Sequence, residues 1–419
     1  MKFATVLLRS AIAGALFVSL NSCSEDLDSS GVCGVLCPPV GGDVQNVTLD
    51  AVVFDTTVQS FSGLGTEPGL LLANRGDTLD TRVILRFDSL PRTFIPAGDT
   101  ARPITSVDSA FIQLKLDTLS IKSGASVTIE AYDVDTTAND TSTAAVLALF
   151  RPDRFISSQT FQRSELKDTL RYFISNQVLL SKIGSHSQLR IGLRAAGTTS
   201  TQLRFGSVES SQGPFLSFRA TPDTATARIA VTLFSHTPAD DPIVAFSIRD
   251  YTVVAKAPPP GPPGDLDIGG LPARRTYLRF DIPKKYTDSS NIVRATLLLN
   301  QIPNSALDPT DTVRLVSHLV VAANAVTDPT KAAQVIAQLP LDTVIVRPGD
   351  AGPKAIELAR AFSFWRSQDP TLSPRAIVLR SVAEGSSPLE IRFWSTEAAA
   401  ALRPQLRISY TNRVPLGLP

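Results

Sequence analysis

The tetrapeptide Leu-Arg-Phe-Asp occurs twice in this chain, at residues 85–88 and 278–281, each time closing a run of alternating apolar and polar residues. A chain that repeats a unit is constrained to fold that unit twice, so the surroundings of the two occurrences decide the architecture. Upstream, "EPGLLLANRGDTLDTRVILRFD" lies over "PPGDLDIGGLPARRTYLRFD". Downstream, "VDSAFIQLKL" (Val107 to Leu116) matches "VRATLLLNQI" (Val293 to Ile302). "LRIGLR" (Leu189 to Arg194) then matches "RAIVLR" (Arg375 to Arg380), and "LRFGS" (Leu203 to Ser207) matches "IRFWS" (Ile391 to Ser395). "GPFLSFRA" (Gly213 to Ala220) matches "RPQLRISYT" (Arg403 to Thr411) and closes the series. Blocks in one shared order describe a tandem duplication, with a first copy over residues 47–222 and a second over 223–413. On this alignment the proline-rich "APPPGPPG" is a polyproline loop inside the second copy.

Every block alternates with period two. Val83, Leu85 and Phe87 face one way, with Arg82, Ile84 and Arg86 facing the other; Thr276, Leu278 and Phe280 oppose Tyr277 and Arg279. Strands of this kind bury one side and wet the other, and the apolar side needs a second sheet to cover it. The fold class is therefore all-β, built of two antiparallel β-sandwich domains. Thirty prolines suit the many turns of such a fold. Three segments carry helical spacing: Ser164 to Ile183, Ala355 to Gln368, and Asp328 to Leu339, the last opened by Asp-Pro.

The first residues, "MKFATVLLRSAIAGALFVSLNSC", have Lys2 and Arg9, an apolar run from Ala11 to Leu20, and small or polar residues up to Cys23. This is the layout of an export signal over residues 1–22, and the run is well short of the ~20 residues that cross a bilayer. "LNSC" resembles the lipobox of bacterial lipoproteins, although Asn21 is less usual than a small residue there. The resemblance implies thioether lipidation and N-acylation of Cys23 after cleavage before it. Residues 23–46 then form a polar, flexible tether. Ser24 after the anchor favours the outer membrane in that family, and Glu25, Asp26 and Asp28 resemble signals for the cell exterior. Cys33 and Cys37 have no further His or Cys nearby to complete a metal site and are read as structural or incidental.

The block order is similar to the DNRLRE-type domain, related to carbohydrate-binding module family 96. That family's pattern runs through "RRTYLRFDIP", "VRATLLLNQI", "AIELARAFSFWRSQ", "RAIVLR" and "RPQLRISYT" in the second copy, and more loosely through the first, which lacks the tryptophan and the final tyrosine. The resemblance implies jelly-roll-like sandwiches with short helical insertions and Trp365 packed inward. It also implies contact with acidic polysaccharide through basic residues, with no position of this chain assigned to that role.

Forty basic against thirty-nine acidic side chains give no footing for nucleic acid. The histidines His186, His236 and His318 show no metal-ligand spacing, although His236 and His318 share one copy. Phe87 and Phe280 read as core, and Arg86 and Arg279 as partners for a carboxylate across the sheet. Asp77 with Asp80, and Asp265 with Asp267, fall in equivalent loops and offer oxygen ligands to Ca²⁺; turn-forming aspartates explain them equally. Trp394 alternates to the face opposite Phe393 and is the candidate ligand contact, since exposed rings stack on sugars. The sequence thus points to a non-catalytic envelope lipoprotein, anchored in the membrane by its lipid, that binds polysaccharide or another envelope protein. A structural component without a small ligand and a polysaccharide-acting enzyme with a site between the domains are the alternatives.

Overall fold

The computed structural model describes residues 43–413 apart from 61–64, 88–89, 95–99, 137–141, 186–187, 222–227, 232–249, 260, 322–335 and 368–374. Val44–Thr411 form one compact unit. The chain opens with β1 (Gln45–Leu49) and β2 (Val52–Gln59). It continues through β3 (Leu70–Asn74), β4 (Asp80–Phe87), the short ribbon β5 (Thr93–Phe94) and β6 (Arg102–Pro103), β7 (Ser106–Lys115) and β8 (Ser126–Asp133). Next come α1 (Thr143–Leu147), β9 (Phe155–Gln162), β10 (Thr169–Phe173), α2 (Asn176–Ser185), β11 (Leu189–Ala196) and β12 (Thr201–Phe205). This run ends with β13 (Phe215–Thr221), β14 (Arg228–Val231) and β15 (Asp250–Lys256). The last run holds β16 (Asp265–Gly269), β17 (Arg274–Phe280), α3 (Lys284–Asp288), β18 (Ser290–Ile302), β19 (Val313–Val320) and β20 (Ile336–Val346). It closes with β21 (Gly352–Glu357), α4 (Ala359–Ser367), β22 (Ala376–Ser381), β23 (Glu390–Trp394) and β24 (Gln405–Asn412).

The two sandwiches have the same antiparallel plan. One layer of the first is β12-β3-β4-β11-β8-β9, and the other is β10-β7-β13-β14. In the second, β23-β16, β17-β22-β19-β20 and β21-β18-β24-β1 occupy the corresponding places. The opening strands of each sequence copy, however, complete the sandwich of the other. β2 pairs with β17 from Gln59↔Arg274 to Val52↔Phe280, and β1 pairs with β24. β15 pairs with β4 from Asp250↔Leu85 to Lys256↔Asp80, and β14 pairs with β13. Sequence copies and packed bodies are thus different divisions of one chain. The chain crosses from the second body to the first between β2 and β3, and the proline-rich loop carries it back between β15 and β16. That loop passes so near the outer face of β16 that a Cβ at Gly261 would lie 2.8 Å from both Asp267 carboxylate oxygens.

Each sandwich closes on its own apolar interior. Phe87 joins Leu85, Ile112 and Leu193 in the first, and Phe280 joins Leu278, Leu297 and Trp365 in the second. Trp365 is buried as expected, its ring 5.5 Å from those of Phe280 and Phe362. The expectation of one wet face per strand fails on the LRFD strands. Ile84 is buried under Tyr132, Val134, Val146, Tyr251 and Val253, and Tyr277 under Val320, Ala376 and Val378. The cause is the exchange itself together with α1: β15 brings Tyr251 and Val253 beside β4, and α1 lays Val146 on top.

The helical expectations hold in part. Within Ser164 to Ile183 the α-helix is confined to the second half, after a single 3₁₀ turn at Arg163–Glu165. The first half contains β10, because Leu170 and Tyr172 alternate inward against β7. Ala355 to Gln368 splits into the end of β21 and α4. Of Asp328 to Leu339, residues 336–339 begin β20, and 328–335 lie outside the described residues.

Candidate functional site

β10 reads Thr-Leu-Arg-Tyr-Phe, and its alternation sends Leu170 and Tyr172 into the core and Thr169, Arg171 and Phe173 outward. Register with β7 sets Arg171 opposite Gln113 and Phe173 opposite Phe111; register with β13 adds Phe215 opposite Gln113. Side chains of one phase share a face, so these residues form rows across the open side of the four-stranded layer. The Phe111 and Phe173 ring centroids are 6.0 Å apart at 60°, and the Arg171 guanidinium sits 5.1 Å from the centre of the Phe111 ring. Phe173 is 57 % exposed, a costly place for a phenyl ring in water unless something covers it.

The backbone beneath that ring is fixed. Gln159 of β9 donates from Nε2 to the Phe173 carbonyl at 2.6 Å and accepts from its N–H at 3.1 Å. One side-chain amide thus stands in for a strand partner between the edges of the two layers. Beside it runs a groove of about 530 Å³ lined by Gln113, Phe161, Glu165, Thr169, Arg171 and Phe173. Glu165 is held by the Gln162 N–H at 2.6 Å. Lys115 and Asp168 form an ion pair at the near end, and the lysine hydrogen bond holds the Asp168 carboxyl below its ordinary range. Among the described residues no carboxylate pairs with Arg171, so its guanidinium offers donors beside two rings. An aromatic face flanked by planar donors suits a hydroxyl-bearing ring, above all one with a carboxylate.

The residues singled out by sequence are placed elsewhere. Trp394 ends β23 opposite Asp265 and is half-buried, while Phe393 points into the core. The aspartates do not gather as a calcium site. Asp77 pairs with Lys256 at 2.7 Å, and Asp80, at the start of β4, accepts from Arg82 at 3.2 Å. Asp265 and Asp267 lie in a strand and not a loop. Asp267 faces Arg274 at 3.2 Å and Arg392 at 3.9 Å, so guanidinium groups stand where a cation would have to. Burial, and then the Glu390 charge, push the Asp267 carboxyl up to about 6.

His318 is buried, with Nδ1 2.9 Å from the Ala337 carbonyl and Nε2 accepting from Arg380 at 3.3 Å; burial lowers its pKa. Both ring nitrogens serve the local structure. His186, His236, Cys23, Cys33 and Cys37 lie outside the described residues. Arg86 is buried, and Arg279 is exposed, 5.5 Å over the Phe54 ring and not against a carboxylate. Sequence reasoning misses the groove around Phe173 because it weighs only the tryptophans as sugar platforms and takes the segment for helix. A signal is nonetheless present: in "TLRYF" a phenylalanine occupies the polar phase of a strand.

No family model matches this chain, and no curated protein matches it, so the DNRLRE-type resemblance rests on the quoted blocks alone. Among solved structures, the tandem CBM22-1–CBM22-2 domain of Xyn10C from Paenibacillus barcinonensis aligns over 89 % of this chain and 98 % of its own, at 9 % identity and a TM-score of 0.15. The C-terminal domain of the antigen I/II-family protein AspA from Streptococcus pyogenes aligns over 83 % of this chain and 92 % of its own, at 8 % identity and a TM-score of 0.16. Alignments at such scores carry neither fold nor function across.

Proposed function

We propose that this is a non-catalytic lipoprotein of the bacterial cell envelope, anchored to the outer membrane through Cys23, that binds acidic polysaccharide at the β10–β7 face of its first sandwich. The observation that carries the reading is the exposed Phe173 ring, fixed by Gln159, beside the Phe111–Arg171 stack. The exposed Phe173 ring, backed by the buried Phe111, offers an apolar platform for a pyranose face, while Arg171 and Gln113 supply in-plane donors for hydroxyl and carboxylate oxygens. The groove turns around an edge strand, which leaves room for a polymer to enter and leave. Trp394 is a second contact in the same reading, on the other sandwich.

A glycan array probed with the full chain in detergent tests it. Binding to uronic-acid polysaccharides is expected, weakened about tenfold, or about 1.4 kcal/mol, by Phe173→Ala and again by Arg171→Gln. A smaller loss is expected from Trp394→Ala. Binding that ignores both groove substitutions ends the assignment of this face, and an array without signal ends the carbohydrate reading. Anchoring is tested separately: Cys23→Ala should move the protein from the membrane to the soluble fraction.

A further inference from the structure

A second concavity lies between the two sandwiches. It is a cleft of about 390 Å³, within the usual range for ligand sites. On the first sandwich its wall is the 3₁₀ turn Thr118–Ser120 with Lys122, Gln202 and Arg204; on the second it is the start of β19, the end of β20 and the turn after β22. Polar struts span it. Lys122 forms an ion pair with Asp311 and stands 3.5 Å from Asp308, and Arg204 donates to Asp117 and to Ser386, each at 3.1 Å.

Three aliphatic side chains that a folded protein would ordinarily cover are turned into this space. Leu119 is 96 % exposed, Ile345 64 % and Val382 41 %. The turn that presents Leu119 is held in place, since Asp117 accepts from the Leu119 N–H at 3.1 Å. Arg314 stands opposite Ile345 in the β19–β20 register, and its carbonyl accepts from the Val382 N–H at 2.9 Å. Ile345, Arg314 and Val382 therefore form one row across the floor. Among the described residues no carboxylate pairs with Arg314, whereas Lys122 and Arg204 are both neutralised. Gln202 is 6 % exposed and lines the wall, with its Oε1 buried and lacking any hydrogen-bond partner.

We infer that this cleft binds an extended peptide in which an aliphatic side chain stands beside a carboxylate. The aliphatic group packs among Leu119, Ile345 and Val382, and the carboxylate meets Arg314. Sugar is the poorer occupant because, among the described residues, no aromatic ring lines the cleft for a pyranose face to stack on. The site is separate from the Phe173 groove, and the two proposals stand or fall independently.

The probe is a displayed library of heptapeptides, selected against the full chain in detergent. Selected sequences are expected to place Leu, Ile or Val next to Asp or Glu. Their affinity should fall at least tenfold with Arg314→Gln and several-fold with Leu119→Ser, both exposed positions, and stay unchanged with Phe173→Ala. The inference is overturned if no sequence is enriched, if the enriched sequences lack the acidic–aliphatic pair, or if Arg314→Gln leaves their affinity intact. It is equally overturned if binding of acidic oligosaccharide, and not of peptide, is what Arg314→Gln removes.

Discussion

β15 and β2 are the same strand of the repeat, exchanged in opposite directions, yet they are held differently. β15 starts with four buried residues, Asp250 to Val253, and its outward Tyr251 and Val253 are roofed by Val146 and its neighbours. β2 leaves Val53 and Phe54 exposed. The LRFD strands beneath them diverge in parallel. Arg82 of β4 lies 4.5 Å over the Phe150 ring, while its counterpart Arg275 makes a bidentate pair with the buried Glu384 at 2.7 and 2.8 Å. One exchanged strand is thus held under an apolar roof, whereas β2 is tied by polar contacts, Asp55 accepting from the Thr396 N–H at 2.7 Å and the Thr57 hydroxyl from the Asp267 N–H at 2.9 Å. The exchange is a property of the backbone plan, and its fastening is free to drift.

The most direct challenge to this contrast is to strip the roof. Tyr251→Ala removes a ring buried among Ile84, Tyr132 and Val253, and should cost about 3–5 kcal/mol, as large-to-small core substitutions do. Urea unfolding followed by limited proteolysis should show the first sandwich failing before the second. Equal loss in both, or none, contradicts a strand held by its own roof.

The crossings offer a second test, through pH. Glu67, in the first crossing, is buried and accepts from the Gly65 N–H at 2.8 Å; burial, with the Asp250 charge adding, pushes its carboxyl from 4.5 to about 7. A carboxyl raised on folding is protonated in the native state while the unfolded chain has already lost its proton. The native state then binds more protons between these values, so stability is fully present below about 4.5 and declines as pH rises through about 7. The span corresponds to about 3 kcal/mol. Unfolding free energies across this range should show the decline in the wild type, and Glu67→Gln should flatten it. A Gln variant with the same slope places the titration elsewhere.

The repeat, the sandwich class and the cores around Phe87 and Phe280 were legible, because alternation and block order fix them; the inward Trp365 was an expectation of the DNRLRE-type resemblance. The exchange was not, and for a physical reason. β4 and β17 carry the same repeated block, and period-two patterning records which face is buried but not whose neighbour a strand becomes. Phe173 was hidden by a competing period. Leu166, Leu170 and Phe173 also repeat at helical spacing, and only pairing with β7 decides for a strand. The carboxylates misled in another way: residue types and spacing place Asp265 and Asp267 together, but not Arg274 and Arg392, which reach them from other strands.

The smallest expected effect sits where the second fastening is weakest. Phe54 is 36 % exposed and is met from above by Arg279, whose guanidinium lies 5.5 Å from its ring centre. An exposed cation–π contact is worth about 0.5–1 kcal/mol, so Phe54→Ala and Arg279→Ala should each cost about that much, and the double substitution little more than either alone. A double-mutant cycle read by urea midpoints measures the coupling directly. If Phe54→Ala instead approaches the loss seen for Tyr251→Ala, β2 is clamped as firmly as β15, and the contrast between an apolar and a polar fastening disappears.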